Sequence, residues 1–319
     1  MLATGWNDAT IRWATLGFLT LAVMGWALPD WILTNVMFGM ARGMAVLGLM
    51  ILWRTGLVSF GHALYFGLGA YAVALLEKYA GLTDVFLKLI GAVLLAAAVG
   101  FVLGFVLRNY RAIFFAMLSL AFSMVLYGIL VKMEVMGSTD GFSVTQNTIF
   151  GWLPEGKYPL FFIIVICCIA SMVGAQLYLK SALGFLTTAI RDNELRVEYL
   201  GYSVAKAIHI KYLISAGLAG AAGGAMAMAL GQVDPDSMVN WPVSGELVFI
   251  TIMAGAGNVV APFLGAILFE FIRTYAFEWA PQAWQLIVGG TLLAIIFFLP
   301  GGIWSLIERP FAKETAKDG

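Results

Sequence analysis

Residues 189–201 read Ala-Ile-Arg-Asp-Asn-Glu-Leu-Arg-Val-Glu-Tyr-Leu-Gly, a charged stretch in a chain that is otherwise mostly apolar. Three acids and two arginines fall between Arg191 and Glu198, with long apolar runs on both sides. A membrane core excludes such a cluster, because every charge placed there costs several kcal/mol. The stretch therefore predicts a loop in water between membrane segments, and it places the chain among the polytopic membrane proteins.

Composition supports this class. The chain has 319 residues, of which 61% are hydrophobic and 11% charged, with a mean hydropathy of +0.92. Ordinary soluble domains carry about 25% charged residues. With roughly 20 apolar residues needed for each crossing, the sequence predicts an all-α polytopic transmembrane helical bundle of about 8–10 membrane segments.

The segments differ in how continuous they are. Strong candidates for crossings are 13–29, 32–53, 89–107, 112–131, 158–179, 207–230 and 284–306. Two Gly-rich regions, 58–76 and 245–278, are predicted to be Gly-broken or re-entrant helices, which are tolerated where protein or a water-filled cavity covers the free backbone groups. Region 245–278 is either two crossings that meet at Asn258 or a re-entrant hairpin followed by a span.

The basic residues predict the orientation. With ten crossings, one side carries twelve of them: Arg12, Arg54, Arg108, Arg111, Lys180, Arg191, Arg196, Lys206, Lys211, Arg309, Lys313 and Lys317. The other side carries Lys78, Lys88, Lys132 and Lys157. We therefore expect cytoplasmic termini, a single membrane domain over 1–311 with a cytoplasmic loop at 180–211, and a short polar cytoplasmic tail at 312–319.

Few residues could carry chemistry. The adjacent Cys167 and Cys168 lie in an apolar run, and His62 and His209 are the only histidines, so no metal site is predicted. The chain has no Gly-x-x-x-x-Gly-Lys-Ser/Thr loop for ATP. Intramembrane carboxylates are scarce, with Glu270 almost alone. We expect no enzyme activity, and a transporter of this kind needs an energy source from another subunit.

The charged stretch could supply that link as a short docking helix. Helical spacing places Ile190, Glu194 and Val197 on one side, and Gly201 suits the left-handed position after a helix. A solvated loop held by local salt bridges is the plainer alternative. Exposed ion pairs stabilise by only about 0–1 kcal/mol, which does not explain so dense a cluster.

Four blocks resemble a known family. They are 56–71 (GLVSFGHALYFGLGAY), 111–122 (RAIFFAMLSLAF), the loop 184–201, and 255–265 followed by Glu270. They are similar to the LivM-type permease subunits of ABC importers for branched-chain and other hydrophobic amino acids. The fourth block departs from the family pattern, because Ala254 and Ala261 replace glycines and Asn258 replaces a hydroxyl residue.

The resemblance implies partners and a location. They are a homologous second permease, two cytoplasmic ABC ATPases that bind ATP and Mg, and an extracytoplasmic substrate-binding protein, in a bacterial cytoplasmic (inner) membrane. The 184–201 helix is expected to couple to the ATPases. Its candidate coupling residues are Ile190, Arg191, Asp192, Asn193, Glu194, Val197, Glu198 and Gly201.

Candidate pathway residues lie in the Gly-broken regions, where exposed helix termini offer N–H groups to a carboxylate. They are Ser59, Gly61, His62, Gly67, Gly255, Gly257 and Asn258. The plainer alternatives are close helix packing at the glycines and a hydrogen bond from His62 to a neighbouring carbonyl.

Two further groups of residues remain. Arg42 lies within an apolar run and is expected to pair with Glu270, with Glu246 as another candidate. Ser138, Thr139 and Asp140 are candidates for an outer gate or a contact with the binding protein, although an ordinary turn explains them equally well.

Other functions remain open. The same importer architecture could carry urea, short amides or aromatic acids. An ion-coupled secondary transporter is a second alternative, disfavoured by the scarcity of intramembrane acids. An integral-membrane enzyme and a structural subunit fit less well, because catalytic motifs are missing and broken helices would serve no purpose.

Overall fold

The computed structural model describes residues 9–299 and 301–306. The predicted tail, 312–319, and both chain termini lie outside that range. The helices are α1 (Ala9–Met24), α2 (Asp30–Trp53), α3 (His62–Ala80), α4 (Val85–Leu107), α5 (Ala112–Lys132), α6 (Tyr158–Leu179), α7 (Ala182–Asp192), α8 (Glu194–Tyr199), α9 (Val204–Leu230), α10 (Pro235–Met238), α11 (Trp241–Ala254), α12 (Ala261–Trp279) and α13 (Trp284–Phe298).

The described residues confirm an all-α polytopic bundle. Six segments are long and apolar enough to cross a membrane: Asp30–Trp53, Val85–Leu107, Ala112–Lys132, Tyr158–Leu179, Val204–Leu230 and Pro235–Ala254. Two shorter apolar helices are Thr15–Ala27 and Trp284–Phe298. Strand structure within the described part is limited to β1 (Phe142–Ser143) and β2 (Gln232–Val233), which pair antiparallel.

The centre of the bundle is formed by α2 and α9. Every residue of α2 from Gly39 to Leu52 is buried, as expected for a helix that is apolar on nearly all sides. Small residues let α9 approach its neighbours closely: a Cβ added at Gly48 would lie 2.8 Å from the carbonyl oxygen of Ser215. Such backbone approach stabilises helix pairs through packing, because lipid supplies no hydrophobic drive for association.

The loops collect on two opposite faces. Loops 81–84, 133–157 and 231–240 meet through the β1–β2 pair and a Val85 N to Thr148 O bond of 2.9 Å, and we call this the sheet face. Loops 54–61, 108–111, 180–203 and 255–260 meet at the other end, which we call the coupling face. These are the loop groups that the charge count assigned to opposite sides.

Two predicted positions need correction. Lys211, counted as a loop cation, lies inside α9 and is completely buried. The weak region 58–76 becomes a helix only from His62, because residues 57–61 are non-helical up to Gly61.

Region 245–278 forms two helices, α11 and α12, separated by residues 255–260. Contacts between α2 and α12 run antiparallel along most of both helices. Thr274 contacts Asn35 near the sheet face, and Gly257 contacts Arg54 at the coupling face. The region therefore forms two helices that meet near Asn258, and the segment Pro235–Ala254, which includes α11, is long and apolar enough to cross a membrane.

Candidate functional site

The coupling segment is two helices and not the single helix expected over 184–201. Asn193 separates α7 from α8, with a φ of −163° that no α-helix contains. Its side-chain oxygen accepts a hydrogen bond from the backbone N of Arg196 at 3.0 Å and so begins α8. Asparagine is a strong N-cap because its side chain competes with the backbone for hydrogen bonds. The uncharged Asn193, which lies within the charged cluster, is therefore the hinge between the two helices.

One side of this segment packs on the body of the protein. Ile190 and Val197 are each only 2% exposed. Glu194 accepts a hydrogen bond from Arg111 Nε at 2.6 Å, which fixes α8 to the start of α5. The three residues predicted to share a side do share one. That side faces the chain's own bundle, so these residues anchor the segment and leave another surface for a partner.

The opposite side is exposed and partly apolar. Arg191, Asp192, Asn193 and Glu198 lie on it, as expected. Its largest exposed groups are aliphatic and aromatic side chains that the sequence reading did not select: Phe185 at 71%, Leu195 at 65%, Tyr199 at 89% and Leu200 at 71% exposed. Large apolar side chains exposed on a polar loop mark a contact with another protein or with the membrane. The sequence feature that could have identified these residues is their apolar character within an otherwise charged stretch.

Gly201 ends the segment as predicted. Its φ of +87° is left-handed, and its N–H donates to the carbonyl of Glu198 at 2.9 Å. Nothing lies within 4 Å of a Cβ built there, so the backbone angle and not the space requires glycine. A left-handed glycine directly after a helix turns the chain toward α9.

Ser59, Gly61 and His62 lie deep in the bundle, where α3 begins. His62 is fully buried, and its Nε2 lies 2.7 Å from Oγ of Ser215, twelve residues into α9. The partner of His62 is therefore a hydroxyl and not the expected carbonyl. Ser59 Oγ accepts from Gly61 N at 3.3 Å, and Ser244 Oγ accepts from Ala63 N at 2.9 Å. Neighbouring hydroxyl groups thus already accept hydrogen bonds from two backbone N–H groups at the start of α3.

Gly67 has a packing role. It is buried one and a half turns into α3, where an added Cβ would meet the side chain of Val239 and lie 3.3 Å from the carbonyl oxygen of Met238. The glycine lets α3 approach α10 closely. This contact is the close helix packing given above as its plainer alternative.

Gly255, Gly257 and Asn258 form the turn between α11 and α12 on the coupling face. Gly255 has a φ of +85°, and Asn258 Oδ1 accepts from Val260 N at 3.1 Å just before α12. Arg54, which follows α2, donates to the carbonyl of Ala256 at 2.7 Å and to that of Gly257 at 2.8 Å. Since a guanidinium holds this turn, Arg54 is a positioning residue that the sequence reading missed.

Arg42 and Glu270 form the predicted intramembrane pair, with Arg42 Nη1 donating to Glu270 Oε1. Glu246 Oε2 lies 3.5 Å from Arg42 and 3.8 Å from Arg273. The four residues, which we call the charge cluster, come from α2, α11 and α12 and are formally neutral. Arg42 and Glu270 stand at the midpoints of α2 and α12, so the cluster extends to the middle of the bundle.

The charge cluster lines a cavity of about 730 Å³. Asp236 and Ser237 of the sheet face border its mouth, and Arg42 and Glu270 border its deep end. The seven residues named above as pathway candidates do not line it. The cavity is therefore lined by Arg42 and Glu270, which were predicted only as a structural pair, and by none of the predicted pathway residues.

Ser138, Thr139 and Asp140 lie on the sheet face in a tight turn. Gly137 and Gly141 both have left-handed φ values, and Ser138 Oγ donates to the carbonyl of Val131 at 2.7 Å. Thr139 and Asp140 are exposed. The turn ends just before β1 and forms part of the sheet face.

A second buried ion pair holds the sheet face together. Lys88 is completely buried, and its Nζ donates to Glu77 Oε2 at 2.6 Å and to the carbonyl of Gln146. Glu77 Oε1 accepts from the backbone N of Thr145 at 3.0 Å. Loop 142–149 is thus fixed to α3 and α4. The sequence reading had treated Lys88 only as a loop charge.

Comparisons with known proteins agree with this architecture. Residues 32–297 match the family described as "Branched-chain amino acid transport system / permease component". The chain belongs to this family. It is therefore a transport subunit and not a catalytic enzyme, and a multi-pass protein of the inner membrane.

Two relatives carry a more specific name, "High-affinity branched-chain amino acid transport system permease protein LivM". The protein from Escherichia coli (strain K12) is 28% identical over 296 residues, covering 84% of this chain and 69% of the relative. The protein from Salmonella typhimurium (strain LT2) is 28% identical over 297 residues, with the same coverage. No solved structure matches the chain significantly.

Proposed function

We propose that this permease subunit carries branched-chain or other hydrophobic amino acids into the cell as part of an ATP-driven importer. Its partners are a homologous second permease, two cytoplasmic ABC ATPases that hold ATP and Mg, and an extracytoplasmic substrate-binding protein. The coupling face is cytoplasmic and the sheet face is extracytoplasmic. The observation that supports this best is the segment α7–α8, which is anchored on one side and exposes large apolar groups among charged residues on the other.

The anchoring contacts provide a route for motion. Closure of the ATPases moves α8, which is bonded to α5 through Glu194 and Arg111. A Cβ placed at Gly56 would lie 3.6 Å from Cγ of Arg191, so α7 also adjoins the chain just after α2. Two residues earlier, Arg54 holds the turn between α11 and α12. A displacement of α7–α8 is thereby transmitted to the helices that bound the cavity.

The exposed apolar surface gives a direct test. Leu195→Ala combined with Tyr199→Ala removes two large exposed groups without disturbing the buried anchors. We expect the complete importer, reconstituted with ATP on the ATPase side, to lose most of its leucine uptake and to bind the ATPases weakly. A hot-spot tyrosine at an interface contributes about 2 kcal/mol or more, so the loss of Tyr199 alone corresponds to a loss of roughly thirtyfold in affinity.

Leu153→Ala on the sheet face is the matched control, because Leu153 is 60% exposed but lies at the opposite end. It should leave ATPase binding unchanged. Normal uptake and normal ATPase binding by the double variant would contradict the coupling role of α7–α8.

Labelling tests the orientation independently. A cysteine at Asn193, exposed on the coupling face, should react only with reagents that enter the cytoplasm. A cysteine at Thr139 should react with impermeant reagents from outside. The opposite pattern would reverse the proposed orientation.

A further inference from the structure

We propose that the cavity at the charge cluster is a binding site for the head group of a free amino acid, with Arg273 receiving the carboxylate and Glu246 the ammonium. This inference rests on the function proposed above and adds a location for the substrate within this subunit. The cavity has the volume typical of small-molecule sites, about 300–1,000 Å³. It extends from the sheet face to the midpoints of α2 and α12.

The free-energy cost of placing the charge cluster among membrane helices indicates that the cluster has a function beyond stability. Four ionisable groups stand among membrane helices, where isolated charges are expensive. Replacing a buried ion pair by apolar residues of similar volume is often neutral or stabilising, so stability alone gives little reason to keep it. A second pair beside the first, bordering a cavity open to one face, is what a ligand with two opposite charges requires.

The two ion pairs differ in the distance between their charged atoms and in their exposure to solvent. Arg42 and Glu270 bond directly, with side chains 6% and 4% exposed. Arg273 and Glu246 lie 3.8 Å apart, beyond hydrogen-bond distance, with side chains 34% and 16% exposed. Among the described residues no hydrogen bond engages the guanidinium of Arg273, which offers five donors. Glu246 is also in ion-pair contact with Arg42 at 3.5 Å, so the inner pair positions it, and Arg273 is the member of the cluster most free to exchange partners.

Charge balance selects the ligand class. Asp236 and Glu278 also line the cavity, but both are exposed at its mouth, where water and salt screen their charges. The four deeper residues of the cluster are formally neutral, so an anion alone or a cation alone bound among them would leave one charge uncompensated. A zwitterion inserts without changing the sum: its carboxylate accepts a bidentate bond from Arg273, and its ammonium donates to Glu246. The ring of Trp284 lies 5.6 Å from Cζ of Arg273 and limits the positions of that guanidinium.

The remaining wall suits an aliphatic side chain. Phe38, Met226, Leu230 and Val243 line the same cavity. Apolar walls with a few convergent polar groups are typical of small-molecule sites. The site thus combines recognition of a zwitterionic head with space for a hydrophobic side chain.

A protection experiment on the assembled importer tests the site without relying on uptake. Leu230→Cys, in a Cys167→Ala/Cys168→Ala background, places a thiol at the cavity, since Leu230 is 42% exposed there. The probe is leucine, and the label is an impermeant maleimide. At about ten times the dissociation constant, leucine should slow labelling roughly tenfold. It should not protect a control cysteine at Val135, which is 62% exposed on the same face.

Ligand chemistry and variants sharpen the result. We expect no protection by 4-methylpentanoate, which lacks the ammonium, or by 3-methylbutylamine, which lacks the carboxylate. Arg273→Gln should weaken protection by leucine about tenfold to a hundredfold, the usual effect of losing a charged hydrogen bond. Arg273→Lys should restore part of it, and the exposed Lys132→Gln should have no effect.

The outcomes separate the two proposals. An importer that takes up leucine but shows no leucine protection at Leu230→Cys would overturn the site and leave the transport function standing. Equal protection by leucine and 4-methylpentanoate would overturn zwitterion recognition. Protection that appears only with phosphatidylethanolamine, and not with leucine, would assign the cavity to a lipid head group and overturn the site.

Discussion

The charge cluster and the segment α7–α8 are the two regions where this apolar chain concentrates charge, and they use it in opposite ways. In the cluster, charged side chains from three helices pair with one another around a cavity. In α7–α8, the buried Ile190 and Val197 and one partly exposed ion pair, Glu194 with Arg111, anchor the segment, and most other charges point to solvent. Charge density alone therefore does not indicate whether charges serve the fold or a partner.

The largest expected effect comes from breaking the inner pair of the cluster. Glu270→Met leaves Arg42 buried with only the more distant Glu246, and we expect a loss of about 3 kcal/mol or more in unfolding free energy. The double variant Arg42→Met/Glu270→Met should recover most of that loss, because well-packed apolar residues replace buried pairs at little cost. Denaturant titration of the purified protein in detergent measures both.

Glu278→Gln is the control, since Glu278 is exposed at the cavity mouth. If the single and double variants were equally unstable, the pair would not be acting as a pair, and the contrast between the two regions would fail.

A smaller and more local effect should follow from weakening the anchors of α7–α8. Ile190→Ala removes a buried side chain at the edge of the bundle, where such truncations cost about 2 kcal/mol. We expect faster hydrogen exchange across 182–203 with little change in α2 or α9, because the segment opens separately from the core. Leu195→Ala, which truncates an exposed side chain of the same segment, should leave exchange in the free subunit unchanged. Uniform exchange increases throughout the chain would show that α7–α8 is part of the core.

The smallest effect on stability should come from removing the salt bridge between Glu194 and Arg111, which joins α8 to α5. Glu194→Gln loses its ion pair with Arg111, but both side chains are about one-third exposed. Exposed pairs are worth about 0–1 kcal/mol, so the variant should unfold within that range of the parent. The difference should shrink further in high salt, which screens surface charges. Glu198→Gln, an exposed acid of the same helix, serves as control, and a loss as large as that of Glu270→Met would show that Glu194 belongs to the core.

Much of the fold could be predicted from local sequence. The apolar runs gave the helices, because a membrane segment must be continuous and apolar over its length. The break near Asn258 and the left-handed Gly201 were also predictable, since both follow from local backbone preferences. The hinge at Asn193 was missed, because helical spacing across the charged stretch is compatible with one helix or with two.

The candidate site was harder to predict. Arg42 and Glu270 were recognised as a pair because isolated intramembrane charges need partners. Their joining with Arg273 and Glu246 around one cavity depends on the packing of α2 against α11 and α12. Likewise, the buried Lys88 differs from a loop cation only through contacts with residues of loop 142–149.

The sequence by itself determined the class of this protein, its family, and the presence of a charged loop in water, because these follow from composition and short motifs. Only the tertiary structure decided which charges pair internally, which apolar groups of α7–α8 face outward, and where a cavity lies. The physical reason is distance along the chain: Arg42 and Glu270 are 228 residues apart, and only helix packing brings them together.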